Sequence, residues 1–276
     1  MTLRPQALAT SDAALWTGVR GVFTDIDDTL TRDGAIEPGA LDALQALHAA
    51  GVPVIAITGR PLGWSEPFAR AWPVAAIVPE NGAVALIREG EQVATEYAQD
   101  AATRERNAAR LREAAARVLA EVPGATLARD SAGRVTDIAI DHAEFAHLDD
   151  EAIGRVVAIM RAEGMTATVS SIHVNGWFGS HDKLSGARWM LRRLFGRELD
   201  AERARWVYVG DSTNDQAMFG FFALSVGVAN LREFAAQLTV WPAFITAGER
   251  GAGFAEVARR VLAARSGQAQ EHVQPV

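Results

Sequence analysis

Short apolar runs alternate with stretches of helical period along most of this chain. Residues 19–24 read as a buried strand, 38–50 as a helix stopped by Gly51, and 52–58 (VPVIAIT) as a second β-rich run. A helix near 64–72 and a third strand at 75–79 follow. Toward the other end, 205–210 (RWVYVG) and 224–228 read as strands, with helices at 215–222 and 254–264. Strands that are apolar throughout and alternate with helices predict a parallel sheet covered on both faces.

The middle of the chain has a different rhythm. ALIREGEQVATEYA suggests a hairpin, 102–122 a long Arg/Glu/Ala helix, RVTDIAIDH a half-buried strand, and 149–163 an amphipathic helix. MTATVSSIHVNGWF alternates polar and apolar positions, which predicts strands with one wet face and helices on the other. The expected organisation is a parallel α/β core, residues 1–84 and 180–276, with a smaller α+β domain inserted at 85–179.

Composition narrows the function. A formal charge of −7 argues against a nucleic-acid binder, which normally carries a basic surface. The arginines are interspersed with acids along helices, the pattern of a solvated face. There is no cysteine, so disulfides, thiolate metal sites and a Cys nucleophile are excluded. The first residues lack the apolar stretch of a signal peptide, and no run reaches the length of a membrane span, so a cytoplasmic location is expected. The polar end, SGQAQEHVQPV, is expected to fray.

Ligands of an open parallel sheet bind beyond the carboxyl ends of its strands. Four clusters fall at such ends. FTDIDDTLT crowds Asp25, Asp27 and Asp28 together; Asp25 and Asp27 share parity and face one crevice, while Asp28 points elsewhere. A calcium loop is excluded, since its sixth position would be Leu30 and its twelfth Ile36. Thr58-Gly59-Arg60 offers a hydroxyl and a backbone N–H to a phosphate oxygen, although taken alone it reads as ordinary turn chemistry. Lys183 follows Asp182, a candidate helix cap, and would supply a counter-charge. Gly210-Asp211-Ser212-Thr213-Asn214-Asp215 is a second acidic strand end.

Converging carboxylates require a cation, and oxygen-only ligands without His or Cys select a hard ion, Mg²⁺ best. With a cation and Lys183 present, a carboxylate is able to attack a phosphate dianion, while a second acid protonates the leaving alkoxide.

D-x-D-x-T, a strand ending in Thr-Gly-Arg, a lone Lys and G-D-S-x-N-D, in this order, resemble the four motifs of the haloacid dehalogenase superfamily of phosphohydrolases. The resemblance implies a Rossmann-like core with Asp25 as nucleophile and Asp27 as general acid/base. It implies that Thr58, Gly59, Lys183 and Asn214 serve the phosphoryl group. Mg²⁺ would be bound by the side chains of Asp25 and Asp211 and the backbone carbonyl of Asp27, with Asp215 a further acidic residue at the metal. The long interval between Thr58 and Lys183 implies a cap inserted between the second and third motifs. PENGA, GVAN and ITAGERGAGFAEVARRVL are similar to signatures of class IIB, the Cof-type, sucrose-phosphate, trehalose-phosphate and mannosyl-3-phosphoglycerate phosphatases.

The expected substrate is therefore a small phosphate ester, a sugar phosphate or glycosyl-phosphoglycerate, with a non-sugar ester as the alternative. Arg60, His173, Asn175 and Trp177 are candidates for substrate contact. The last three alternate along one strand; packing is the competing explanation for them, and pinning the cap the competing role for Arg60. His142, His147 and His181 read as ordinary loop residues. A dehalogenase has no leaving alkoxide to protonate and no need of Asp27. A phosphomutase relative would carry its cap after the first motif. A non-catalytic ligand-binding member of the fold would be expected to lose Asp25 or Asp27, and both are present.

Overall fold

The computed structural model describes residues 5–271. The chain divides into two compact units. One holds the described residues up to Ile57, Trp72–Ala76, and those from Ala187 onward; the other holds Thr58–Ala71 and Ile77–Gly186.

The first unit is built on parallel strands. Gln6–Ala7, Phe244–Ile245, Leu224–Gly227, Trp206–Gly210, Gly21–Thr24 and Val54–Ile57 lie side by side in that order, every pairing parallel. The central strands are buried at every position, as sequences apolar on both faces require. Pro38–Ala49 starts with Pro in its first turn and ends before Gly51, whose φ of +68° is the left-handed stop the sequence predicts. It packs against a helix that runs from Arg250 to Glu271, longer at both ends than expected. The glycines of GERGAG disguise its first turn, and the helix extends to Glu271, into the segment expected to fray; residues 272–276 lie outside the described residues.

In the second unit the expected hairpin pairs Val84–Glu89 with Gln92–Tyr97. A separate antiparallel sheet has the order Thr166–Val169, His173–Trp177, Asp137–Asp141, Thr126–Leu127. One face of this sheet, with Ile140, Val174 and Ala167, packs on Leu111, Val118, Val156 and Met160 of the helices Ala101–Glu121 and Asp150–Ala162. The segment 85–179 lies within this unit.

The other face corrects the sequence reading. Alternation predicts that it is wet, but Asp137, Asp141, His173, Asn175 and Trp177 are all buried. Polarity here marks an internal hydrogen-bonded layer, not a solvated surface. The Asp141 carboxylate, for example, accepts from the backbone N–H groups of Glu144, Phe145 and Ala146 at 2.9, 3.0 and 3.2 Å.

Candidate active site

Two strand tips bring the acids of the first unit together. Val209 pairs with Thr24, and Asp25 N–H donates to the Val209 carbonyl at 2.9 Å, so the residues that follow each strand become neighbours. Carboxylate oxygens of Asp25, Asp211 and Asp215 lie within 4.8 Å of one another, and all three residues are buried. Buried like charges this close are costly unless a cation joins them. The donors are all hard oxygens, which suits a magnesium-like ion.

Asp215 is already held by the protein. Its Oδ2 accepts from the N–H groups of Asp211 and Ser212 at 2.9 and 3.2 Å, and its Oδ1 from the Tyr208 hydroxyl at 2.5 Å. Ser212 and Asp215 complete a capping box at the short Thr213–Asp215 turn. Burial, and then the Asp215 and Asp25 charges, push the Tyr208 phenol well above its ordinary pKa, which keeps it a proton donor to Asp215. Asp27 is buried in the same loop, but its carboxylate is not in the three-acid group. Asn214 Oδ1 accepts from Ser212 Oγ at 3.0 Å.

Asp28 points elsewhere, as expected, and the structure shows to what. It sits at φ +53°, its carbonyl accepts from Asn230 Nδ2 at 3.0 Å, and its carboxylate pairs with Arg250 Nε at 2.8 Å. Asn230 Oδ1 in turn accepts from Arg250 N–H at 3.0 Å, and Glu37 from Gly251 N–H at 2.9 Å. The loop that carries Asp25 and Asp27 is thereby latched to GVAN and to the start of the last helix.

In the second unit the Thr58–Arg60 loop is gripped by PENGA. Thr58 N–H donates to Val78 O, Glu80 N–H to Arg60 O and Asn81 N–H to Thr58 O, at 3.0, 3.0 and 2.9 Å. Glu80, Asn81 and Gly82 all have positive φ, a run of left-handed backbone that only strong tertiary contacts sustain. Gly82, at φ +103°, has no room for a Cβ: one would stand 2.2 Å from the Asp182 carbonyl. That close approach seats PENGA against the first turn of the Lys183–Phe195 helix, where Asp182 caps Ser185 N–H at 2.6 Å. Thr58 and Lys183 are both buried.

The residues expected to touch substrate are engaged within the protein. Arg60 is buried, with ion pairs to Asp130 at 3.2 Å and Glu144 at 2.8 Å, and its guanidinium lies over the Trp64 ring. His173 Nε2 lies 3.1 Å from Glu144. Burial raises the Glu144 carboxyl, but bonds from His173 and Arg60 outweigh it and hold it at about 2. Asn175 Nδ2 donates to Gly59 O at 3.3 Å and to Asp137 at 3.1 Å. Trp177 spends its N–H on the His181 carbonyl at 2.9 Å and stacks on the His181 ring. Of the other histidines, His142 is buried against Ser170 O and His147 is exposed.

Residues 22–116 match the family model for haloacid dehalogenase-like hydrolases. Solved structures of the same architecture cover nearly the whole chain. A Thermoplasma acidophilum protein is 16% identical with a TM-score of 0.66, over 88% of this chain and 98% of its own. The sucrose-phosphatase of Synechocystis sp. PCC6803, solved with sucrose and phosphate, is 14% identical with a TM-score of 0.63, over 88% and 98%. The haloacid dehalogenase subclass IIB sugar phosphatase BT4131 is 16% identical with a TM-score of 0.58, over 90% and 99%. The chain has the haloacid dehalogenase-like hydrolase fold. No curated protein matches it.

Within this haloacid dehalogenase-like fold, the bracing roles of several residues are visible only in three dimensions, although Glu80, Asn230 and Arg250 lie in motifs the sequence displays. Tyr208, Asn230 and Arg250 brace the acidic loops, and Glu80 and Arg134 brace the Thr58 loop. PENGA and GVAN were legible as motifs, but only the fold shows what their side chains hold.

Proposed function

We propose that the protein is a Mg²⁺-dependent phosphomonoesterase acting on a sugar phosphate or glycosyl-phosphoglycerate. The observation that carries this reading is the convergence of Asp25, Asp211 and Asp215 at the tips of adjacent parallel strands. In it, Asp25, Asp211 and the Asp27 carbonyl hold the ion and Asp215 braces them. The bound ion supplies charge neutralisation that lets an anionic nucleophile meet an anionic ester.

The Asp25 carboxylate attacks phosphorus, the ester P–O bond breaks, and Asp27 delivers its proton to the departing alkoxide. Asp27, now a base, takes a proton from water, whose oxygen attacks phosphorus and breaks the bond to Asp25, releasing phosphate. Thr58, the Gly59 loop and Lys183 hold the phosphoryl oxygens, and Asn214 orients that side. Residues 85–179 act as the specificity cap. Class IIB likeness in the motifs, and the sugar phosphatases among the proteins of shared fold, support the sugar-phosphate class.

The test is turnover of p-nitrophenyl phosphate and a panel of sugar phosphates with Mg²⁺. Hydrolysis that Asp25→Asn abolishes in a folded protein supports the proposal; hydrolysis retained by that variant refutes the nucleophile. Magnesium binding without turnover of any ester favours a non-catalytic role.

A further inference from the structure

We propose that Asn175 and Arg134 are positioning residues that set the direction of the Thr58 hydroxyl, acting through a single peptide unit. This rests on the reading of Thr58 as a phosphate-holding residue.

The peptide between Gly59 and Arg60 is held at both ends. Its carbonyl accepts from Arg134 Nη1 at 2.9 Å and from Asn175 Nδ2 at 3.3 Å. Its N–H, on Arg60, donates to Thr58 Oγ1 at 3.0 Å. A peptide is planar, so the direction of the carbonyl fixes that of the N–H. An Oγ1 that accepts from Arg60 N–H has its own proton turned to another acceptor, which in the proposed function is a phosphoryl oxygen.

The two carbonyl donors are themselves aimed by one group. Asp137 accepts from Arg134 Nη1 on both oxygens at 2.9 Å, and from Asn175 Nδ2 at 3.1 Å. Asp137 and Asn175 lie on paired strands of the antiparallel sheet, with Ala139 facing Asn175 and Asp137 facing Trp177. Arg134 is further fixed by Asp130, which also pairs with Arg60. Asn175 thus stands on a paired strand and Arg134 is clamped by two carboxylates, so both donors are held in place by their own partners. Gly59 makes the approach possible: a Cβ there would lie 3.1 Å from Asn175 Oδ1. Asn175 thus contributes through the loop and not by touching substrate.

Asn175→Leu deletes one donor, keeps the side-chain volume and leaves the Arg134–Asp137 pair in place. Orthophosphate affinity, measured by calorimetry in the presence of Mg²⁺, should fall about tenfold, the scale of one buried hydrogen bond. The KM for p-nitrophenyl phosphate should rise with it. A merely structural role would lower the urea midpoint and leave phosphate affinity per folded molecule unchanged, which would overturn the proposal. Thr58→Val supplies the second arm. If Asn175 acts through the hydroxyl, adding Asn175→Leu to Thr58→Val weakens phosphate no further, whereas full additivity overturns the proposal. Should wild type bind no phosphate, the functional reading falls, and exchange at the Arg60 amide decides the geometry alone. Exchange about tenfold faster in Asn175→Leu supports the grip, and unchanged exchange refutes it.

Discussion

Glu80→Gln is a near-isosteric change with a large expected cost. Glu80 has no exposed surface, and its carboxylate is used entirely as an acceptor. Oε1 receives the N–H groups of Leu62 and Val135 at 3.1 and 3.0 Å. Oε2 receives the N–H groups of Val135 and Thr136 at 3.2 and 2.6 Å, and the Thr136 hydroxyl at 2.5 Å. An amide replaces one acceptor oxygen with two donors. Its favoured orientation keeps the oxygen on Thr136 and turns the NH₂ toward the Leu62 and Val135 N–H groups. Two bonds to a charged acceptor are then lost, at roughly 1.5–3 kcal/mol each. Part is regained, because the Glu80 charge also raises the buried Asp137 carboxyl. A net loss of about 3 kcal/mol is expected. For urea slopes of about 1–3 kcal/mol/M this lowers the unfolding midpoint by about 1 M or more. Thr136→Val, which removes the hydroxyl alone, should cost clearly less. A Glu80→Gln midpoint within about 0.3 M of wild type would show that the clasp contributes little and that the reasoning is wrong.

Other outcomes are expected at single residues. Asp27→Asn should slow esters with poor leaving groups far more than p-nitrophenyl phosphate; an equal loss across a leaving-group series would count against its acid role. Tyr208→Phe removes the 2.5 Å donor to Asp215 and should weaken Mg²⁺ binding by about tenfold in calorimetry, with unchanged affinity as the contrary result. His181 Nε2 is buried without a hydrogen-bond partner, and burial depresses the ring to about 4. In the unfolded chain it protonates near 6.5, so the unfolded state binds more protons between these values, and wild type loses stability as pH falls from about 6.5 to about 4. His181→Phe, which keeps an aromatic ring against Trp177, should raise the thermal midpoint more at pH 5 than at pH 7. The same increment at both would contradict the assignment.

Much of the framework was legible because it is written locally. A strand buried on both faces is apolar at every position, as in Val54–Ile57 and Trp206–Gly210, and Gly51 marks its helix stop. Asp25 and Asp211 stand directly after two paired strands, so parallel pairing makes them neighbours, and the turn that Asp215 caps folds its carboxylate back to them. The start of the last helix has no local signal, because Gly-rich sequence has no helical signature of its own; Asn230 and Glu37, 20 and 214 residues away, hold its first N–H groups.

The chain by itself determined the parallel sheet, the acidic strand ends and the order of the motifs, since each follows from spacing over a few residues. Only the tertiary structure decided that His173, Asn175 and Trp177 face a buried polar layer. A polar side chain has the same pattern whether water or another side chain satisfies it. The partners that settle the matter for Gly59 lie 75 and 116 residues away, at Arg134 and Asn175, a distance that no local periodicity reports.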